Sequence, residues 1–241
     1  MFLFAGNFML NLVHKKPYLF LWILCVLGSL ATIPYLFFAG LIRVGMPIWK
    51  IAFLTALNSS VLFGLVCWLS SKILPKTDLT PFKSENPIQR IVCPGIFSGI
   101  FVGLVLFIFD KVFFSSSLLS AQHPPFWAGA IASIYGAINE EVFTRLFLLT
   151  LIYLFLGKWF TTRRRVFLLW ISTFLASLLF GAGHLPALFK LAPPSSFEIV
   201  RVLFLNGIAG IVFGWLYWSR GLWTAILAHF VTDLMIHVIL I

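Results

Sequence analysis

Continuous apolar runs long enough to cross a membrane recur along the whole chain, and this feature leaves few folds open. In hydrocarbon every backbone N–H and C=O must be bonded within the protein, so only helices and closed barrels span. A barrel would need alternating segments of about ten residues. These runs do not alternate, and the sequence therefore specifies an all-α fold, a polytopic transmembrane helical bundle. Composition agrees, with 61% hydrophobic and only 10% charged residues, against roughly 25% charged in soluble domains.

About seven spans are predicted, near residues 18–42, 49–74, 91–114, 126–156, 166–185, 199–218 and 222–241. Residues 1–17 are apolar but too short to cross and close with Lys15, Lys16 and Pro17, which suits an interfacial segment. No basic region precedes the first apolar residues, so no removable signal peptide is expected. The chain then divides into N-terminal transmembrane helices over 18–125 and a second part, 126–241, that holds most of the polar residues placed inside spans. Pro34 predicts a kink in the first span. Gly95, Gly99 and Gly103 in the third span, and Gly210 and Gly214 in the sixth, form small-residue stripes that let helices approach closely. The stretch 75–90 reads as a polar loop rather than a domain.

The formal net charge is +10, but the basic residues lie in short loops rather than on a polar surface, so nucleic acid is not an expected partner and the lipid bilayer is. The N-terminal side holds Lys15, Lys16, Lys72, Lys76, Lys83, Arg90, Lys158, Arg163, Arg164, Arg165 and Arg220; the other side holds Arg43, Lys50, Lys111, Lys190 and Arg201. This asymmetry places the N-terminus in the cytoplasm. Trp22, Trp49, Trp127, Trp159 and Trp223 fall near span ends, as an aromatic belt requires. Cys25, Cys67 and Cys93 lack metal-like spacing and read as apolar residues.

The costliest stretch is Asn139-Glu140-Glu141-Val142-Phe143-Thr144-Arg145, in the middle of the fourth run. A charged side chain at the bilayer centre costs at least roughly 2.5–3.5 kcal/mol, so three together mark a functional site. Glu141 and Arg145, four apart, share a helix face and are expected to pair, while Glu140 is turned away and keeps its carboxylate for chemistry. Phe180 and His184, and likewise His229 and Asp233, are also four apart, so each pair points into one cavity; His237 follows one turn later. Helix arithmetic raises a conflict of depth: at 1.5 Å per residue His229 lies about 12 Å into its span and His184 about 27 Å into its own.

Glu140-Glu141-Val-Phe-Thr-Arg145, Phe180-Gly-Ala-Gly-His184 and His229-Phe-Val-Thr-Asp233, in this order on successive membrane helices, resemble the CPBP (Abi) family of intramembrane proteases, which includes the type II (Rce1-like) CAAX prenyl proteases. The resemblance runs from about Trp127 to the C-terminus and makes 126–241 the catalytic core. Asp233 stands where many members have Asn, and an eighth span found in many members is missing. The resemblance implies an endopeptidase acting on a membrane-associated protein, such as a prenylated CAAX-like or bacteriocin-leader substrate, in a bacterial inner membrane. Glu140 and His184 would activate water, His229 with Asp233 would stabilise the oxyanion, and Glu141, Arg145 and Phe180 would support them. If a metal is present it is zinc held by Glu140, His184 and His229; no HExxH motif occurs, and the metal-free site is the expectation adopted. The competing readings are a catalytically silent scaffold or immunity factor of the same fold, and a transporter or channel with an intramembrane polar site.

Overall fold

The structure, a computed structural model, describes residues 16–42, 45–82, 88–115, 124–160, 165–191 and 193–240. The described residues contain no strand and form seven helices. The interfacial segment expected over 1–17 lies, through residue 15, outside the described residues.

Helix α1 is Pro17–Ala31, continued by Ile33–Phe38; α2 is Ile48–Ile73; α3 is Cys93–Phe113. Helix α4 runs through four consecutive pieces, Phe126–Tyr135, Gly136–Glu140, Val142–Leu149 and Thr150–Gly157. Helix α5 is Arg165–Gly183, with Leu185–Leu191 beyond a break at His184; α6 is Ser196–Arg220; α7 is Leu222–Leu234, extended by Met235–Ile239. By length and composition six of the seven are able to cross a membrane. The seventh, α4, covers a similar length but carries Glu140, Glu141 and Arg145 at its middle.

Local chemistry sets the boundaries. The break in α1 falls at Thr32, two residues before Pro34, where the Thr32 hydroxyl donates to the Ser29 carbonyl at 2.8 Å. Ser195 and Glu198 cap α6 reciprocally: the Glu198 N–H donates to Ser195 Oγ and the Ser195 N–H to Glu198 Oε2. Gly221, at φ 112°, makes the turn into α7 that a side chain would strain.

The bundle is built from close pairs, α1 with α2, α3 with α7, and α5 with α6. The glycine stripes lie in two of these seams. A Cβ on Gly99 would stand 2.6 Å from the Ala228 carbonyl oxygen of α7, and one on Gly210 2.8 Å from Ser177 of α5. One hydrophobic core runs through both parts of the chain, joining Leu21, Cys25, Phe63 and Val102 to Val142, Leu146, Phe213 and Ala225. Outward faces carry large apolar side chains such as Phe97, Phe101, Trp49 and Trp159, as a lipid-facing surface requires. Trp22, expected in the aromatic belt, turns inward instead and donates its indole N–H to the Ser60 carbonyl of α2.

The polar loop after α2 closes one end of the bundle. Leu79 is buried, Phe82 meets Tyr18 edge to face, and the Pro81 carbonyl accepts the Leu222 N–H at the start of α7. Asp78 takes hydrogen bonds from Tyr153 of α4 and Arg165 of α5. At the other end Arg201 grips Asp110 through two bonds, of 2.6 and 3.1 Å, fastening α6 to α3.

Candidate active site

The motif in α4 does not sit in a regular α-helix. Its turns are widened to π geometry over Gly136–Glu140 and Val142–Leu149, a rare local form that is frequent at functional sites. Side-chain hydroxyls contribute to this: Thr144 Oγ1 donates to the Glu140 carbonyl and Thr150 Oγ1 to the Arg145 carbonyl, competing with the i→i−4 ladder.

Glu141 and Arg145 are fully buried, and Glu141 Oε1 lies 3.4 Å from Arg145 Nη2, the pair expected from their spacing. The guanidinium also donates to Thr144 and lies over the Phe180 and Phe213 rings, 5.0 and 5.9 Å from their centres. Glu141 has a second task that the spacing does not show. Its Oε1 accepts a 2.9 Å hydrogen bond from His229 Nδ1, so the residue supporting the helix also orients an imidazole on α7. Phe213 of α6 stacks on the same ring at 4.6 Å between centres.

Glu140 meets both histidines, sharing His229 with Glu141. Its Oε1 is 3.8 Å from His184 Nε2 and its Oε2 is 3.8 Å from His229 Nε2. These gaps exceed a direct hydrogen bond and suit a bridging water. His184 Nδ1 is 2.9 Å from the Phe180 carbonyl, which accepts only, so Nδ1 carries the hydrogen and Nε2 of the neutral ring presents its lone pair to Glu140. Phe180 packs edge-on against both imidazoles, at 4.9 and 5.9 Å. Asp233 Oδ1 is 3.5 Å from His229 Nε2. Its other oxygen occupies the place where a Cβ on Gly136 would stand, so Asp233 enters the site only because residue 136 is glycine.

All seven expected site residues therefore gather in one cluster, and their exposure grades outward. Glu141 and Arg145 are at 0%, His229 at 6%, Asp233 at 15%, Glu140 at 23% and His184 at 36% of side-chain area. His184 and Glu140 are the most accessible of these groups. Despite the expected conflict of depth, the side chains of His184 and His229 reach the same carboxylate, each 3.8 Å from an oxygen of Glu140, and α5 breaks at His184. His237 lies a turn beyond Asp233 and contacts Tyr35 of α1 edge-on at 5.7 Å.

Glu140, His184 and His229 have the donor types for zinc, but no group of three His, Cys, Asp or Glu side chains among the described residues converges on a metal-sized point. The two imidazoles face different oxygens of Glu140. As placed, the side chains do not fit that ion, and no step below is routed through it.

The cluster lies on one stretch of sequence with relatives. Residues 122–235 match the model of the type II CAAX prenyl endopeptidase Rce1-like family. That stretch is similar to the Rce1-like family. No curated protein and no solved structure matches the chain. The Rce1-like segment contains every member of the cluster and excludes α1, α2 and α3. The protein is thus an integral membrane protein whose C-terminal half is related to proteases.

Two contributors escape a reading by motif: Asn139, a fully buried amide beside Glu140, and Phe213, the ring that stacks on His229. Asn139 had a visible signal, a polar residue inside an apolar run. Phe213 had none, since phenylalanine is frequent throughout this chain.

Proposed function

We propose that the protein is an intramembrane endopeptidase that hydrolyses a peptide bond of a membrane-associated protein, CAAX-like or leader-like, with water activated by Glu140 and His184. The observation that carries this is the pair of acceptors, Glu140 Oε1 and the His184 Nε2 lone pair, 3.8 Å apart at the accessible edge of the cluster. A water between them donates one hydrogen to each and keeps its own lone pairs for attack. As the new C–O bond forms, Glu140 takes the water proton.

The oxyanion then needs a donor. His229 Nδ1 donates to Glu141, so donation to the oxyanion falls to the Nε2–H of the doubly protonated ring, shared with Asp233 at 3.5 Å. Asp233 acts through the imidazole and presents no bare carboxylate to the oxyanion. When the C–N bond breaks, Glu140 returns its proton to the leaving nitrogen, and the carboxylate is restored.

Termini of membrane proteins are compared by mass spectrometry in cells making the wild type or Glu140→Gln. New termini are expected only with the wild type. The same termini in both, or none in either, would refute the proposal.

A further inference from the structure

The geometry points to Asn139 as a positioning residue for Glu140, through which α1 and α2, outside the Rce1-like stretch, set the catalytic carboxylate. This rests on the endopeptidase reading for its kinetic consequence but not for its structural one.

Asn139 is completely buried, and its amide nitrogen donates to the Cys25 carbonyl of α1 at 2.7 Å and to Ser29 Oγ at 2.9 Å. Ser29 Oγ is in turn 2.8 Å from Ser59 Oγ of α2, and Ser59 also reaches the Cys25 carbonyl, at 3.3 Å. Three helices therefore meet at one carbonyl in the middle of α1. In hydrocarbon such bonds have no competing water, so they hold the rotation of α4 at residue 139. Rotation matters most at the next residue, because Glu140 must offer one oxygen to α5 and the other to α7. The wide turn Gly136–Glu140 gives this segment no regular α-helical ladder to fix its register. The amide is also seated sterically: its oxygen fills the space that a Cβ on Gly28 would take. The only orientation that directs the NH2 at the Cys25 carbonyl is the one observed.

A placement error of about 1 Å at a reacting group costs up to about 100-fold in rate. Asn139→Ala removes the tether, and Gly28→Ala pushes the intact amide out of its seat from the α1 side. Both variants, with wild type and Glu140→Gln for reference, are purified in detergent. Three quantities are measured: kcat and KM on a cleaved peptide, thermal midpoint, and 15N shifts of the His184 and His229 imidazoles in histidine-labelled protein. Expected are a kcat about 10–100-fold lower in both variants, a KM within about threefold of wild type, and imidazole shifts displaced in the sense seen for Glu140→Gln. If Asn139→Ala does not fold, Gly28→Ala carries the test. Folded Gly28→Ala with wild-type imidazole shifts, or with a KM change in place of a kcat change, overturns the inference. If no variant, wild type included, cleaves peptide while the imidazole shifts still follow Asn139, the positioning stands and the endopeptidase reading falls.

Discussion

Glu141→Gln is the substitution that separates support from chemistry most sharply. Glu141 and Arg145 are both inaccessible to solvent, and the ion pair between them is 3.4 Å long. Removing one partner of a buried pair typically costs about 3–5 kcal/mol, because the other is left as an uncompensated charge. The Phe180 and Phe213 rings over the guanidinium are present before and after the substitution and offset none of that loss. The hydrogen bond from His229 Nδ1 also survives, since an amide oxygen still accepts, so the loss falls on the charge. For a chain of this size each kcal/mol moves the thermal midpoint by about 2–4 °C, which gives a fall of about 6–20 °C. Adding Arg145→Met removes the stranded charge and should return most of the stability. It should not return full turnover, because His229 Nδ1 then faces a neutral amide instead of a carboxylate. Thermal unfolding and peptide turnover in detergent are read on the single, the double and the wild type. A Glu141→Gln midpoint within about 2 °C of wild type, or a double variant less stable than the single, would refute the assignment of Glu141 as the partner of Arg145.

Glu140→Gln should unfold within a few degrees of wild type and lose about 100-fold or more of its turnover, the contribution of a positioned base; near-normal turnover sinks the assigned role. Metal analysis of active protein is expected to find no stoichiometric zinc, and zinc that leaves together with activity on chelation would overturn the metal-free arrangement. At Asp78 burial pushes the carboxyl pKa up, but hydrogen bonds from Arg165 and Tyr153 outweigh it and hold the group below the ordinary carboxylate value. A lowered folded pKa means that this stabilisation is present above the unfolded value near pH 3.9, and is lost as pH falls through the folded one. Half-exposed and screened, the Asp78–Arg165 pair contributes about 0–1 kcal/mol. Asp78→Asn should therefore lower the thermal midpoint slightly at pH 6 and by less at pH 3; an equal fall at both would show that charge is not the cause. Single cysteines in 75–90 and in 158–165 should resist an impermeant reagent in intact cells and react after lysis, and labelling of both in intact cells would reverse the orientation.

The helices were legible because a bilayer permits so little else. Each predicted span overlaps a helix, and the glycine stripes lie in seams, Gly99 against α7 and Gly210 against α5. What residue spacing conveys is which side chains share a face; it says nothing of where a second helix brings its own. Glu141 and Arg145 were therefore readable as a pair, while the bond from Glu141 to His229, eighty-eight residues away, was not. The wide turns in α4 were invisible for a related reason, since residue spacing does not show that the Thr144 and Thr150 hydroxyls bond to the Glu140 and Arg145 carbonyls within them. The break in α1 fell at Thr32 rather than Pro34 because a proline constrains the residues before it more than those after.

The way the cluster is bonded bears on whether it is a scaffold. Buried polar groups in a structural network are nearly all satisfied, because an incomplete network is worse than an apolar core. Here Glu141 Oε2 and the Arg145 Nε and Nη2 atoms have no hydrogen-bond partner among the described residues, and Asn139 Oδ1 has none either. The charges are held by mutual attraction and by aromatic faces, arrangements that fix position without consuming every lone pair. Meanwhile Glu140 and His184, the two groups with acceptors to spare, stand at the accessible edge. A silent scaffold would lose little by replacing Glu141 and Arg145 with apolar residues of like volume, since such replacements of buried pairs are often neutral or stabilising. On the function proposed above, their retention beneath Glu140 follows from the need to hold His229 and α4 in register while leaving the carboxylate of Glu140 free to accept a proton.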